Sequence, residues 1–262
     1  MMNLLSWKGC AMQRTMSIAL LLLGTLTFGA FAQEPLSDLE LLQTFDEYRF
    51  FDDDVTALDI KITSENADEV REAVLRLFFG NEEDSSRIEF LSPEELAGQI
   101  YVSNEEGTFF FGPDLDEPLK VGANTQVFGD SAVAQTAGIR FAGDYAITGR
   151  RTVISEDGTE ILEVDLLETV DYSMAFREAT VKADPETLQP LSVVLYAVSG
   201  LAFYEVFYEE YMTRGEDDIY VTIQRIENRL LTGRLTVSEI LEIGTEALDP
   251  ALFDVEQLGV SG

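Results

Sequence analysis

Histidine is absent from all 262 residues, and the single cysteine and single tryptophan, Cys10 and Trp7, lie within the first ten. Each absence closes a class of function. Histidine is the ordinary general base near neutral pH, and cysteine is the strongest common nucleophile. The two are also the main zinc and copper ligands. Beyond residue 32, lysine occurs only as Lys61, Lys120 and Lys182, each in a different segment. G-x-G-x-x-G, P-loop, G-x-S-x-G and H-E-x-x-H motifs are all missing. The chain therefore points away from catalysis and toward binding, carrying or scaffolding, with no cofactor and no metal.

Positive charge is scarce as well. From residue 33 onward, 15 basic residues face 49 acidic ones, a net charge of −34. Nucleic acid needs basic patches, and anionic lipid attracts polybasic surfaces, so neither is a suitable partner. The acidic excess reads as a solvated surface that keeps the protein soluble. Asp52–Asp54, Asp114/Asp116/Glu117 and Glu216–Asp218 lack the spaced ligands and central glycine of a calcium loop and read as solvated loops. Among 49 acids, a carboxylate pair of the kind a glycosidase uses arises by chance.

Residues 1–32 read as a secretory signal peptide. Lys8 and Arg14 precede or open an apolar run from Met16 to Phe28, and Ala30-Phe31-Ala32 is a small-x-small cleavage site that would leave Gln33 first. The run is shorter than the ~20 residues of a bilayer span. The segment from Met12 is a complete leader by itself, so translation starts at Met1 or Met12. Cys10 lies before the apolar run and cannot be a lipid-attachment cysteine. A cysteine-free export product needs no oxidative folding, which fits the bacterial periplasm.

Residues 33–262 read as one domain. Ser37 and Glu40 form a capping box, Leu36 and Leu41 a hydrophobic staple, and Leu41, Phe45, Tyr48 and Phe50 or Phe51 one helical face. Short alternating runs follow at Val55–Thr63, Arg87–Leu91, Gln99–Ser103 and Thr108–Phe111, the last two joined by a turn at residues 104–107. Val70–Phe79 fits a helix or a strand. Residues 112–144, rich in Gly, Ala, Ser and Asp, read as a long mobile excursion with at most a short helix near Ser131–Ala137. A regular meander then runs through Tyr145–Ser155, Glu160–Leu167, Phe176–Ala183, Leu191–Val198, Ala202–Tyr211, Ile219–Ile226 and Arg234–Ile243. Asp249-Pro250 opens a terminal helical turn. Strands so evenly spaced suggest a barrel or sandwich.

Several late strands are apolar on both faces. Phe203 and Phe207 point one way, and Tyr204, Val206 and Tyr208 the other; Ile219, Val221 and Ile223 share a face opposite Tyr220 and Ile226. Either both sides are covered, with the opening helix as one cover, or the concave side lines a cavity.

Four stretches carry a resemblance. Arg87–Ile100, with its Phe-Leu-Ser-Pro followed by Gly98, the aromatic strand Phe109-Phe110-Phe111-Gly112-Pro113, the hairpin Ala183-Asp184-Pro185-Glu186-Thr187-Leu188-Gln189-Pro190-Leu191, and the closing Leu248-Asp249-Pro250-Ala251-Leu252-Phe253 resemble, in order and spacing, the LolA-like family of outer membrane lipoprotein-sorting proteins. The resemblance implies a mainly β (α+β) fold, an incompletely closed antiparallel β-barrel with a helical lid and an apolar cavity. It makes Val70–Phe79 a strand. It implies a non-enzymatic periplasmic carrier that shelters acyl chains of lipoproteins or other lipids and moves them toward the outer membrane. An inner-membrane transporter and an outer-membrane acceptor would be its partners. The chain departs from the family in having neither a Trp in Thr108–Phe111 nor much positive charge after it. The lid would be residues 36–51 and roughly 112–144. The cavity candidates are Phe45, Leu77, Phe79, Phe109, Phe111, Phe141, Phe203, Phe207 and Val221. Two rival readings are a sensor or regulatory module of the same fold that binds a protein partner, and a secreted carboxylate-dependent hydrolase with a bell-shaped pH profile.

Overall fold

The structure is a computed structural model that describes residues 36–51, 54–80, 85–122, 125–132, 139–169, 176–215 and 218–258. The proposed leader lies outside them, as do Asp52, Asp53, Glu216 and Asp217. Helix α1 spans Asp38–Glu47 and begins where the sequence places it. The Ser37 hydroxyl accepts from the Glu40 amide, and the Glu40 carboxylate accepts from the Ser37 amide at 2.8 Å. Leu41, Leu42 and Phe45 are buried, while Glu40, Gln43 and Glu47 face water.

The rest is β-structure. The strands are β1 (Ala57–Glu65), β2 (Val70–Phe79), β3 (Ser86–Ser92), β4 (Ile100–Asn104), β5 (Gly107–Phe111), β6 (Leu119–Val121), β7 (Gln126–Phe128), β8 (Ser131–Ala132), β9 (Tyr145–Ile154), β10 (Glu160–Glu168), β11 (Glu178–Ala183), β12 (Pro190–Tyr196), β13 (Ala202–Arg214), β14 (Asp218–Asn228) and β15 (Leu235–Gly244). A short helix α2 (Phe141–Asp144) precedes β9. Thirteen strands form one sheet in the order β6-β5-β4-β3-β2-β1-β15-β14-β13-β12-β11-β10-β9, and β7 pairs only with β8. Every pairing is antiparallel. Two meanders, β1–β6 and β9–β15, meet along the β1–β15 seam, and β6 and β9 are left as edges, so the barrel is not closed.

Strict alternation sets which face is apolar. On β1, Leu58, Ile60 and Ile62 are buried between Asp59, Lys61 and Thr63. Leu75 and Leu77 of β2 lie opposite Ile60 and Leu58. Val70–Phe79 is thus a strand, and its polar positions pair on the outer face, as Arg76 with Asp59 and Glu72 with Lys61. The same outer face carries an ionic ladder across β9–β14. Arg151 meets Glu163 and Asp165, Lys182 and Arg229 meet Glu205, and Arg225 meets Glu209 and Glu227.

The segment 112–144 differs from the mobile excursion expected of it. β6 extends the main sheet, β7 and β8 form a hairpin, and α2 closes the stretch. Of the helix expected near Ser131–Ala137, Ser131 and Ala132 are strand, and residues 133–138 lie outside the described residues. Small residues hid this because the hairpin is specified by close approach rather than by strand propensity. Gly129, at φ +58°, presses its backbone onto Ser64 of β1 and Thr236 of β15. At the other end of the chain, the turn Pro250–Phe253 is capped by Asp249 and lies on the outer side of β3 and β4. Arg87 donates there to the Leu252 carbonyl at 2.8 Å.

A methyl group added at Gly129 would sit 2.6 Å from the Ser64 hydroxyl and 2.7 Å from that of Thr236. Gly129→Ala is expected to cost about 2 kcal/mol or more, from left-handed backbone strain plus overpacking. Gly158→Ala, also at positive φ but with open space around it, isolates the backbone part. Urea unfolding midpoints of the two variants check the difference.

Candidate functional site

The concave face of the sheet carries two apolar clusters. One lies over β9–β14 and takes in Val164, Leu166, Val181, Val193, Leu195, Tyr204, Val206, Tyr208, Val221 and Ile226, together with Leu41, Leu42 and Phe45 of α1 and Phe141 of α2. The other lies over β1–β4, with Leu58, Ile60, Ile62, Leu75, Leu77, Ile88, Phe90 and Tyr101, and takes Phe128 from the β7–β8 hairpin. No second sheet larger than the two-stranded β7–β8 hairpin covers either cluster among the described residues. Helices cover the first and a hairpin the second, and in this form both covers are seated.

Polar groups hold the covers down. Asp46, on the buried side of α1, accepts from the amides of Phe141 at 3.0 Å and Ala142 at 2.8 Å, which caps α2. Arg49 donates to Asp46 at 3.1 Å and to the Ile139 carbonyl at 2.7 Å. Its guanidinium lies 4.1 Å from the centre of the Phe141 ring, a cation–π contact. Burial pushes the Asp46 carboxyl above its ordinary range, against the pull of Arg49 and the two amides. Burial likewise raises the Tyr208 phenol beside Arg49. On the second cover, Asp130 is 1% exposed. It accepts from Asn228 at 3.2 Å and Gln126 at 3.3 Å, and its backbone amide donates to the Thr236 hydroxyl at 3.0 Å. Arg234 stands 3.4 Å from its second oxygen.

A groove of about 1750 Å³ opens between α1, α2 and the β13–β14 hairpin. Tyr48, Phe50, Phe51 and Ile219 give it apolar wall. Asp46, Glu47, Asp54, Asp144 and Asp218 outnumber Arg140 and Arg214 among its charged groups. It lies where the helical cover meets the sheet. Among the described residues, no group of three or more His, Cys, Asp or Glu side chains converges as metal ligands.

The nine residues named from sequence separate into three sets. Phe45, Phe141 and Val221 lie in the first cluster, and Phe203 packs against it. Leu77 lies in the second, with Phe79 against it. Phe109, Phe111 and Phe207 stand on the convex face, which corrects their expected facing. Tyr101 pairs with Phe110, so it is Phe110 that points inward, and Phe109 and Phe111 point out. Val206 pairs with Val193 in the core, which turns Phe207 outward, where Arg225 lies over its ring at 4.1 Å. Val221 joins Ile226 inside, despite the odd spacing, because the β13–β14 register shifts twice between Tyr208 and Tyr211. Sequence reasoning missed Asp46, Arg49 and Asp130. A signal existed for the first two: they continue the stripe of Leu42 at four- and three-residue spacing, as charges on an apolar face.

A family model described as "-like: Uncharacterized protein" matches residues 82–259. No curated protein matches the chain. Solved structures that share its fold include three with high coverage of both chains. A LolA superfamily protein from Nitrosomonas europaea superposes with a TM-score of 0.75 at 19% identity, covering 84% of this chain and 98% of its own. A putative outer membrane lipoprotein-sorting protein domain from Vibrio parahaemolyticus gives 0.68 at 15%, covering 84% and 97%. A DUF1329 family protein from Desulfovibrio piger gives 0.68 at 15%, covering 84% and 97%. The fold is therefore LolA-like.

Asp46→Ala leaves the Phe141 and Ala142 amides without their acceptor and the Arg49 guanidinium with the Ile139 carbonyl but no counter-charge, and is expected to destabilise by about 3–5 kcal/mol. Amide exchange should show α1 and α2 losing protection before the sheet does. Asp46→Asn removes the titrating charge and one of the two acceptor oxygens. A carboxyl with a raised folded pKa is stabilising when protonated, and that contribution is lost as pH rises from about 4 through the folded value. Wild type should therefore lose stability relative to Asp46→Asn over that rise, read from unfolding midpoints at each pH.

Proposed function

The chain belongs to that family of uncharacterized proteins, and from its LolA-like fold we propose that it is a non-enzymatic periplasmic carrier of acyl chains, from lipoproteins or other lipids, bound for the outer membrane. The observation that carries this reading is an apolar concave sheet whose helical cover stands outside its hydrogen-bond ladder. Lifting α1 and α2 leaves the sheet's hydrogen-bond ladder intact and breaks apolar contacts, the Asp46 and Arg49 bonds, and the ties at the helix ends, where Val221 donates to the Tyr48 carbonyl, Tyr48 to the Thr187 carbonyl, Thr169 to the Asp144 carbonyl and Arg150 to Asp38. An acyl chain laid in their place would replace the lost burial at about 0.8 kcal/mol per CH₂.

The cavity is then the set Val164, Leu166, Val181, Leu195, Val206, Tyr208 and Val221 beneath Phe45 and Phe141. Asp46 and Arg49 position the cover rather than touch the cargo's acyl tail. The acidic groove at the mouth disfavours a free carboxylate headgroup and suits acyl chains whose carboxyl is esterified or amidated, as in a lipoprotein. Residues 1–32 supply the export signal, with cleavage after Ala32.

Native mass spectrometry of the protein purified from periplasm, with lipid extraction, tests the carrier directly. Co-purifying acyl lipid or lipopeptide, displaced by an uncharged fluorescent fatty amide, is the expected result. A clean apo mass with no probe uptake would sink it. The separable cover has its own test in Asp46→Cys with Ala142→Cys, positions already linked by a 2.8 Å hydrogen bond. Oxidised, the pair should block probe uptake, and reductant should restore it; uptake unaffected by oxidation would show that this cover does not move.

A further inference from the structure

Exposed aliphatic side chains gather on two adjacent hairpin tips at one end of the sheet. Val198 is 81% and Leu201 59% exposed on the β12–β13 turn, and Leu230 is 48% and Leu231 50% exposed on the β14–β15 turn. The Arg229 amide donates to the Phe203 carbonyl at 2.9 Å, which ties the second tip to the strand that leaves the first. Isolated surface leucines need no explanation, but a contiguous exposed group does.

The two turns themselves carry no acid, unlike the β1–β2 turn beside them at the same end, where Glu65, Asp68 and Glu69 are exposed. Residues 197–202 read Ala-Val-Ser-Gly-Leu-Ala and residues 229–234 read Arg-Leu-Leu-Thr-Gly-Arg, with no acid in either, although 49 of the 262 residues are acidic. Arg229 and Arg234 stand at the base, partly exposed, and meet Glu205, Glu227 and Asp130 beneath them. The tips therefore present aliphatic side chains above two guanidiniums, with the acids set behind. Protruding turns offer no groove to a protein ligand. They suit a surface that deforms around them and carries both phosphate and cationic groups.

We infer that these two tips are a membrane-contact site, inserting Val198, Leu201, Leu230 and Leu231 into the interface of a zwitterionic phospholipid bilayer, with Arg229 and Arg234 at phosphate depth. Insertion follows from apolar area plus local charge. The surface is at the opposite end of the sheet from the β9–β10 turn, and it does not depend on the cavity holding lipid.

Flotation with phosphatidylcholine vesicles tests it. Mature wild type is expected to float. The variant Val198→Asp/Leu201→Asp/Leu230→Asp/Leu231→Asp is expected to lose flotation while keeping its urea midpoint, because all four side chains already face water. Beyond residue 32 the chain has no Trp, so Val198→Trp or Leu231→Trp gives a single reporter whose emission should shift blue on vesicles. Ile154→Trp, exposed at the other end, should not shift. Wild type that stays with the aqueous phase would overturn the assignment and leave the tips to a protein partner. Flotation that survives the four aspartates, or an equal shift at Ile154→Trp, would overturn it too. Cavity occupancy is read by native mass and bilayer contact by flotation, so the two readings fail separately.

Discussion

One face of a single open sheet is apolar along nearly its whole length, and water must be kept off it. Burying a large aliphatic side chain is worth roughly 1.5–3 kcal/mol, and Ile62, Leu75, Val164, Val181 and Leu195 are all almost completely buried on this face. A sandwich would meet the need with a second sheet. This chain meets it with two local pieces, a helical pair over β9–β14 and a hairpin over the seam and β1–β4. Because neither piece belongs to the main ladder, each can leave without breaking it. Regions joined to a core by few contacts are those that open at low free energy. The carrier reading grows from that difference in attachment.

Both pieces are fastened by a buried aspartate. Asp46 caps α2 from within α1, and Asp130 is met by Asn228, Gln126 and Arg234 at the sheet. A buried charge is a poor way to gain stability, since desolvation offsets most of the attraction. It is a good way to fix a position, because any other seating leaves donors and acceptors unmatched. An apolar fastening of equal size would slide. Burial raises the Asp46 carboxyl against the pull of Arg49 and the two amides.

Elements with regular periodicity were legible in the sequence. The capping box at Ser37, the alternation of β1, and the turn at residues 104–107 rest on local chemistry, and the structure repeats them. Val70–Phe79 was not decidable from its own pattern, since its apolar residues satisfy both periods; pairing with β1 makes it a strand. The facing of Phe207 and Phe109 depends on which neighbour each strand pairs with, a long-range fact that alternation cannot supply. A slip of one residue exchanges the two faces. Val221 shows the same limit from the other side, because a double register shift brings it inward. The β7–β8 hairpin was hidden because Gly129 is selected for contact with Ser64 and Thr236, residues far away in sequence.

The acid surplus acquires a structural sense from where the basic residues stand. Arg151, Lys182, Arg225 and Arg229 bind acids on the convex ladder; Arg49 and Arg234 bind the two fastening aspartates; Arg71, Lys120 and Arg140 lie over aromatic rings. Positive charge is thus engaged in holding the fold, and much of the negative charge is left to the solvent. Such a surface resists adhesion to other anionic surfaces at long range. It also means that contact with a bilayer, where it occurs, has to be made through the few stretches that carry no acid, and the tips at residues 197–202 and 229–234 are two such stretches with exposed aliphatic side chains to offer.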